Sequence, residues 1–64
     1  MMKVKITKAS DFKFEEMRKI STLQDLKGIE EEFSSELIVR FADIEEQQEE
    51  GFDISIIIYD DYVE

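Results

Sequence analysis

Sixty-four residues make one domain, near the lower limit for a chain that folds unaided. Without cysteine or histidine the chain has no disulfide, no thiolate nucleophile, and neither the commonest general base nor the commonest transition-metal ligand. A formal charge of −9 repels nucleic acid and anionic membranes, and the apolar 42% of residues must build the core alone.

In chain order, Lys3-Val4-Lys5-Ile6-Thr7-Lys8 alternates polar and apolar, the period-two pattern of a half-buried strand. Ala9-Ser10-Asp11 suits a turn. Phe12 and Phe14 then alternate with Lys13 and Glu15 to open a second strand, whose continuation through Met17 and Ile20 breaks the period once and calls for a β-bulge. The three lysines Lys3, Lys5 and Lys8 fit an edge strand kept soluble by charge.

A helix is expected within residues 21–34. Ser21 with Gln24, or Thr22 with Asp25, has the spacing of a capping box, and Leu23, Leu26, Ile29 or Glu30, and Phe33 form an apolar stripe. Gly28 costs such a helix about 1 kcal/mol relative to alanine, and close packing on the sheet would justify it. Glu36 to Ala42 reads as a third strand with Leu37, Val39 and Phe41 on one face. Phe52 to Tyr59 reads as the fourth, with Phe52, Ile54, Ile56 and Ile58 on one face and dense β-branching. The intervening Asp43 to Gly51 exceeds a two-residue hairpin turn and reads as an acidic loop, with Gly51 in a left-handed position at its end.

The expected architecture is α+β: a four-stranded, mainly antiparallel sheet with one helix on one face, in the order β-β-α-β-β. Residues 1–64 form a single domain. Leu23, Leu26, Phe33, Val39, Phe41, Ile54 and Ile56 are the expected core. The other sheet face carries Lys3, Lys5, Arg40, Asp53 and Ser55 among Ile38, Ile57 and Tyr59.

Charge is split along the chain. Residues 1–27 hold seven Lys/Arg and four Asp/Glu, a net of +3, whereas residues 28–64 hold only Arg40 against thirteen acidic residues, a net of −12. Such asymmetry marks an interaction surface for a cationic partner. The densest stretch is Asp43, Glu45, Glu46, Glu49, Glu50 and Asp53. If that stretch is extended, alternate carboxylates stand about 6.6 Å apart, a row of charge resembling a phosphate backbone. Glu30, Glu31 and Glu32 form a second cluster, and Asp60, Asp61 and Glu64 a third. The alternative for any such run is a plain solvated surface. Tyr59 and Tyr62 flank Asp60 and Asp61, as edge-of-core packing or as interface anchors.

No metal site is expected. An EF-hand counted from Asp43 would need glycine at position six, and Gly51 falls at position nine. Catalysis is not expected either: no glycine-rich phosphate loop is present, no nucleophile–base pair recommends itself, and so small a layer leaves little room for a cleft between carboxylates. No cofactor is implied. The longest apolar run, Ile56-Ile57-Ile58-Tyr59, is far short of the about 20 residues of a membrane span. Met1-Met2-Lys3-Val4-Lys5 lacks the apolar region of a signal peptide. The expectation is a complete, cytoplasmic product, to which the lack of cysteine adds a little.

The acid-rich ββαββ pattern, with its helix segment Ser21 to Leu26 and its ending Ile56-Ile57-Ile58-Tyr59-Asp60-Asp61-Tyr62, resembles short proteins encoded by phages and prophages of Gram-positive bacteria, among them anti-CRISPR proteins. Several of those act as acidic DNA mimics on the effector nuclease. The resemblance implies an inhibitor in the bacterial host cell, bound to a basic nucleic-acid-binding protein with a Cas9-type nuclease favoured, and making no direct contact with nucleic acid. The competing expectations are a structural or regulatory interaction module, antitoxin-like or forming an oligomer such as a homodimer through a sheet edge, and a small carboxylate metal-binding protein. Steep loss of affinity with salt marks the mimic, apolar strand pairing lacks it, and calorimetry with calcium and magnesium tests the third.

Overall fold

A computed structural model describes residues 1–60. Its elements are β1 (Met2–Lys8), β2 (Asp11–Ile20), α1 (Gln24–Phe33), β3 (Glu36–Phe41), α2 (Ile44–Glu49) and β4 (Ile54–Tyr59). The four strands form one sheet in the order β2-β1-β4-β3. β1 and β2 pair antiparallel, as do β3 and β4, but β1 and β4 pair parallel at the centre. The fold is therefore α+β with a mixed sheet and two short helices. α1 carries the chain from one edge strand to the other, so β4 comes to lie between β1 and β3.

The register builds the core directly. Val4 stands opposite Ile54, and Ile6 opposite Ile56, while Ile56 and Ile58 face Val39 and Leu37 on the other side. Val4, Ile6, Ile54, Ile56 and Ile58 are buried under α1 together with Ile20 and Ile29, and Met2, Phe14, Leu26, Phe33 and Leu37 pack around them. Three of the expected core residues are not in it. Leu23, Val39 and Phe41 are exposed, because α1 lies over β1 and β4 and leaves the β3 edge uncovered. Phe52 is buried but stands apart from this cluster, its ring beneath the Lys5 ammonium at 5.3 Å.

Several local expectations change. β1 is a central strand, so its lysines do not guard an edge. The expected bulge near Met17 is absent: Phe14, Glu16, Arg18 and Ile20 keep strict alternation, with charge at two inward positions. The register shifts instead beside the Ala9–Ser10 turn, between Thr7 opposite Glu15 and Lys8 opposite Asp11. Phe12 sits in that irregular stretch and is exposed. The capping box at α1 is not made. Its first turn has no side-chain cap, and the Asp25 carboxylate instead reaches back to accept the backbone N–H groups of Ser21 at 2.8 Å and Thr22 at 3.1 Å.

Gly28 is not required by close packing, since a Cβ there would meet nothing within 4 Å. Gly28→Ala is expected to stabilise the domain by about 1 kcal/mol, the propensity difference within a helix, read as a higher urea midpoint at unchanged slope. A lower midpoint would show that Gly28 has a role the packing does not display. Gly51, by contrast, holds φ at +76° where α2 ends, the left-handed position expected of it.

Candidate functional site

The acidic stretch is not a loop and not a strand. Asp43 to Glu50 wraps into α2, started by a capping box: the Asp43 carboxylate accepts the Glu46 N–H at 2.8 Å, and the Glu46 carboxylate accepts the Asp43 N–H at 3.1 Å. The row of carboxylates at strand spacing is therefore not formed. The signal was present as Asp43-x-x-Glu46. It was hidden by the segment's charge and by its having one apolar residue, Ile44, which is exposed.

Most of this stretch is bound internally. The Arg40 guanidinium forks onto Glu46 at 2.7 and 2.8 Å, and with the Asp43 N–H it pulls the Glu46 carboxyl down to about 2. Lys5 reaches across the sheet to Glu50 at 2.8 Å and Glu15 at 2.9 Å, and these two carboxylates raise its pKa. Asp53 ties into β1 through the Lys3 N–H at 2.9 Å. Arg18 bridges β2 to α1, bonded to Glu32 at 3.0 Å and to Glu16, so its pKa rises and that of Glu32 falls. Asp60 accepts both the N–H and the hydroxyl of Ser10, at 3.0 and 2.8 Å, which lowers its pKa and fastens the β1–β2 turn. Cations with a structural role, namely Lys5, Arg18 and Arg40, are what sequence reasoning missed.

Of the expected contact residues, then, Asp43, Glu46, Glu50, Asp53 and Asp60 serve the fold. Asp61 and Tyr62, with Glu64, lie outside the described residues. Tyr59 ends β4 opposite Glu36, half exposed. Glu30, Glu31, Glu36, Glu45 and Glu49 make no ion pair among the described residues. The first three surround one shallow groove with Ser34 and Ser35, where α1 ends and β3 begins. Glu45 and Glu49 are one helical turn apart on α2 and share its outer face. No three of the described side chains converge as a metal site.

A second surface is apolar. Met2, Leu23, Leu26, Val39, Phe41 and Ile54, with the stem of Arg40, line a groove between the start of α1 and β3. Phe41 is 81% exposed and Leu23 72%. No described helix is long and apolar enough to cross a membrane. Compared with family models, curated proteins and solved structures, the chain gives no match in any of the three.

Proposed function

We propose that the protein is an inhibitor that binds a basic nucleic-acid-binding protein through its acidic surface, with a Cas9-type nuclease as the favoured target. The observation that supports this is electrostatic. Between residues 28 and 60 five carboxylates, Glu30, Glu31, Glu36, Glu45 and Glu49, make neither an ion pair nor a side-chain hydrogen bond among the described residues. The single cation of that stretch, Arg40, is already held by Glu46. A cationic groove that normally receives phosphates would gain from exchanging them for Glu30, Glu31 and Glu36 on one side and Glu45 and Glu49 on the other. In an RNA-guided nuclease the arginines that read the PAM duplex are such a target, and covering them stops the search before any base pairing begins.

Two measurements test it. Glu30, Glu31, Glu45 and Glu49 changed together to Gln bring the net charge from −9 to −5 without touching a structural bond. The fold should persist while affinity for the nuclease falls roughly tenfold or more, and the parent's affinity should drop steeply as salt rises. In an electrophoretic shift assay on catalytically dead nuclease, inhibitor added first should exclude target DNA. Full DNA binding at saturating inhibitor rules the reading out, even if cleavage stops. A second reading, an interaction module working through a sheet edge, is favoured by the bare flank of β3.

A further inference from the structure

The two edges of the sheet are unlike. β2 spreads six charged residues along its ten positions, Asp11, Lys13, Glu15, Glu16, Arg18 and Lys19, which blunts that edge against pairing. β3 has two charges in six positions, and between them runs Leu37-Ile38-Val39. Among the described residues no strand pairs with its outer edge. Ala42 N–H donates to Asp53 at 2.9 Å, so even-numbered residues face β4, and the alternation of the ladder turns the N–H and C=O of Leu37 and Val39 outward.

We propose that β3 pairs antiparallel with β3 of a second copy, about a two-fold axis through Ile38, to give a continuous eight-stranded sheet. The charges choose both occupant and register. Glu36 and Arg40 have opposite sign and stand equally far from Ile38, so the axis places Glu36 opposite Arg40 of the second copy, twice. Each guanidinium is then shared between its own Glu46 and the incoming Glu36. Leu37 meets Val39 on the helix side, and Ile38, half exposed in the single chain, meets its own copy on the other. Phe41 comes opposite Ser35 of the second copy and gains cover there. The next register that keeps the faces aligned centres on Val39. It sets Arg40 against Ile38 and loses both ion pairs. This second-copy contact deepens the edge reading; of the acidic surface it uses Glu36 alone and leaves Glu30, Glu31, Glu45 and Glu49 free.

The chain has no cysteine, so a single introduced thiol reports the register. Across the axis the Ile38 pair is of the non-hydrogen-bonded kind, with Cα atoms about 4.5 Å apart, inside the range a disulfide spans. Val39 and its copy are diagonal neighbours at about 7–8 Å. Under mild oxidation Ile38→Cys should therefore become a covalent dimer and Val39→Cys should not. Sedimentation of the unmodified protein should give twice 7.6 kDa at high micromolar concentration. Ile38→Lys, which sets two ammonium groups face to face, should weaken association roughly tenfold or more while circular dichroism stays unchanged. The variant with Glu30, Glu31, Glu45 and Glu49 changed to Gln should still dimerise, which separates this contact from binding of a basic partner. A protein that remains monomeric at millimolar concentration overturns the proposal. So does cross-linking of Val39→Cys as fast as Ile38→Cys.

Discussion

Ile56→Ala is expected to remove about 2–5 kcal/mol of stability, the range for emptying a buried isoleucine site. Ile56 is fully buried and sits at the crossing of three strands, opposite Ile6 on β1 and Val39 on β3. Its neighbours in the core, Val4, Ile6, Ile54 and Ile58, are β-branched and held by sheet hydrogen bonds, so they have little freedom to close over a cavity. A domain of this length has a total stability on the order of 3–10 kcal/mol. The variant should accordingly be largely unfolded at room temperature or melt far below the parent, as thermal circular dichroism would show. The milder Ile56→Val should cost about 0.5–1.5 kcal/mol. An alanine variant as stable as the parent would mean that the centre of the sheet is not where the stability lies.

Phe52→Ala tests the other face. Phe52 is buried outside the α1 core, under Lys5, and the backbone around it is tied to both neighbours: Asp53 N–H to Lys3 at 2.8 Å, and Ala42 N–H to Asp53. Lys5 in turn holds Glu50 at the end of α2. Removing the ring should cost about 3–5 kcal/mol and loosen α2 first, because a six-residue helix has no stability of its own. Hydrogen exchange at the Gln47 and Glu50 amides should accelerate more than at Ile6 or Ile58. Equal acceleration everywhere would show instead that the two faces unfold as one unit.

The strands were legible in the sequence because their alternation is a local property. Val4-x-Ile6 and Ile54-x-Ile56-x-Ile58 face one side whatever their neighbours are. What locality cannot carry is adjacency. The parallel pairing of β1 with β4 depends on where α1 takes the chain, and nothing within either strand encodes it. The same gap misplaced Val39 and Phe41: their alternation is correct, but an edge position leaves that face bare. At the candidate site, counting charge located the acidic surface yet could not separate bound carboxylates from free ones. Glu50 and Glu49 are equivalent as letters; one is held by Lys5 and the other is not, and only the placement of β1 beside the end of α2 decides between them.

The central parallel pair has a consequence for how the chain acquires its shape. Val4 pairs with Ile54, so the middle of the sheet joins segments separated by nearly the whole described chain. The β1–β2 hairpin needs only nearby residues and can form early, with α1 beside it. Neither can bury its apolar face until β4 arrives. Closing so long a loop makes the rate-limiting step a late, non-local one, slow for a domain of this size. During synthesis the hairpin emerges from the ribosome with Val4 and Ile6 uncovered, and it stays so until the residues around Ile54 have followed. Folding is thus deferred until translation has passed β4, and a transcript cut short before that strand yields a polypeptide with no core to make.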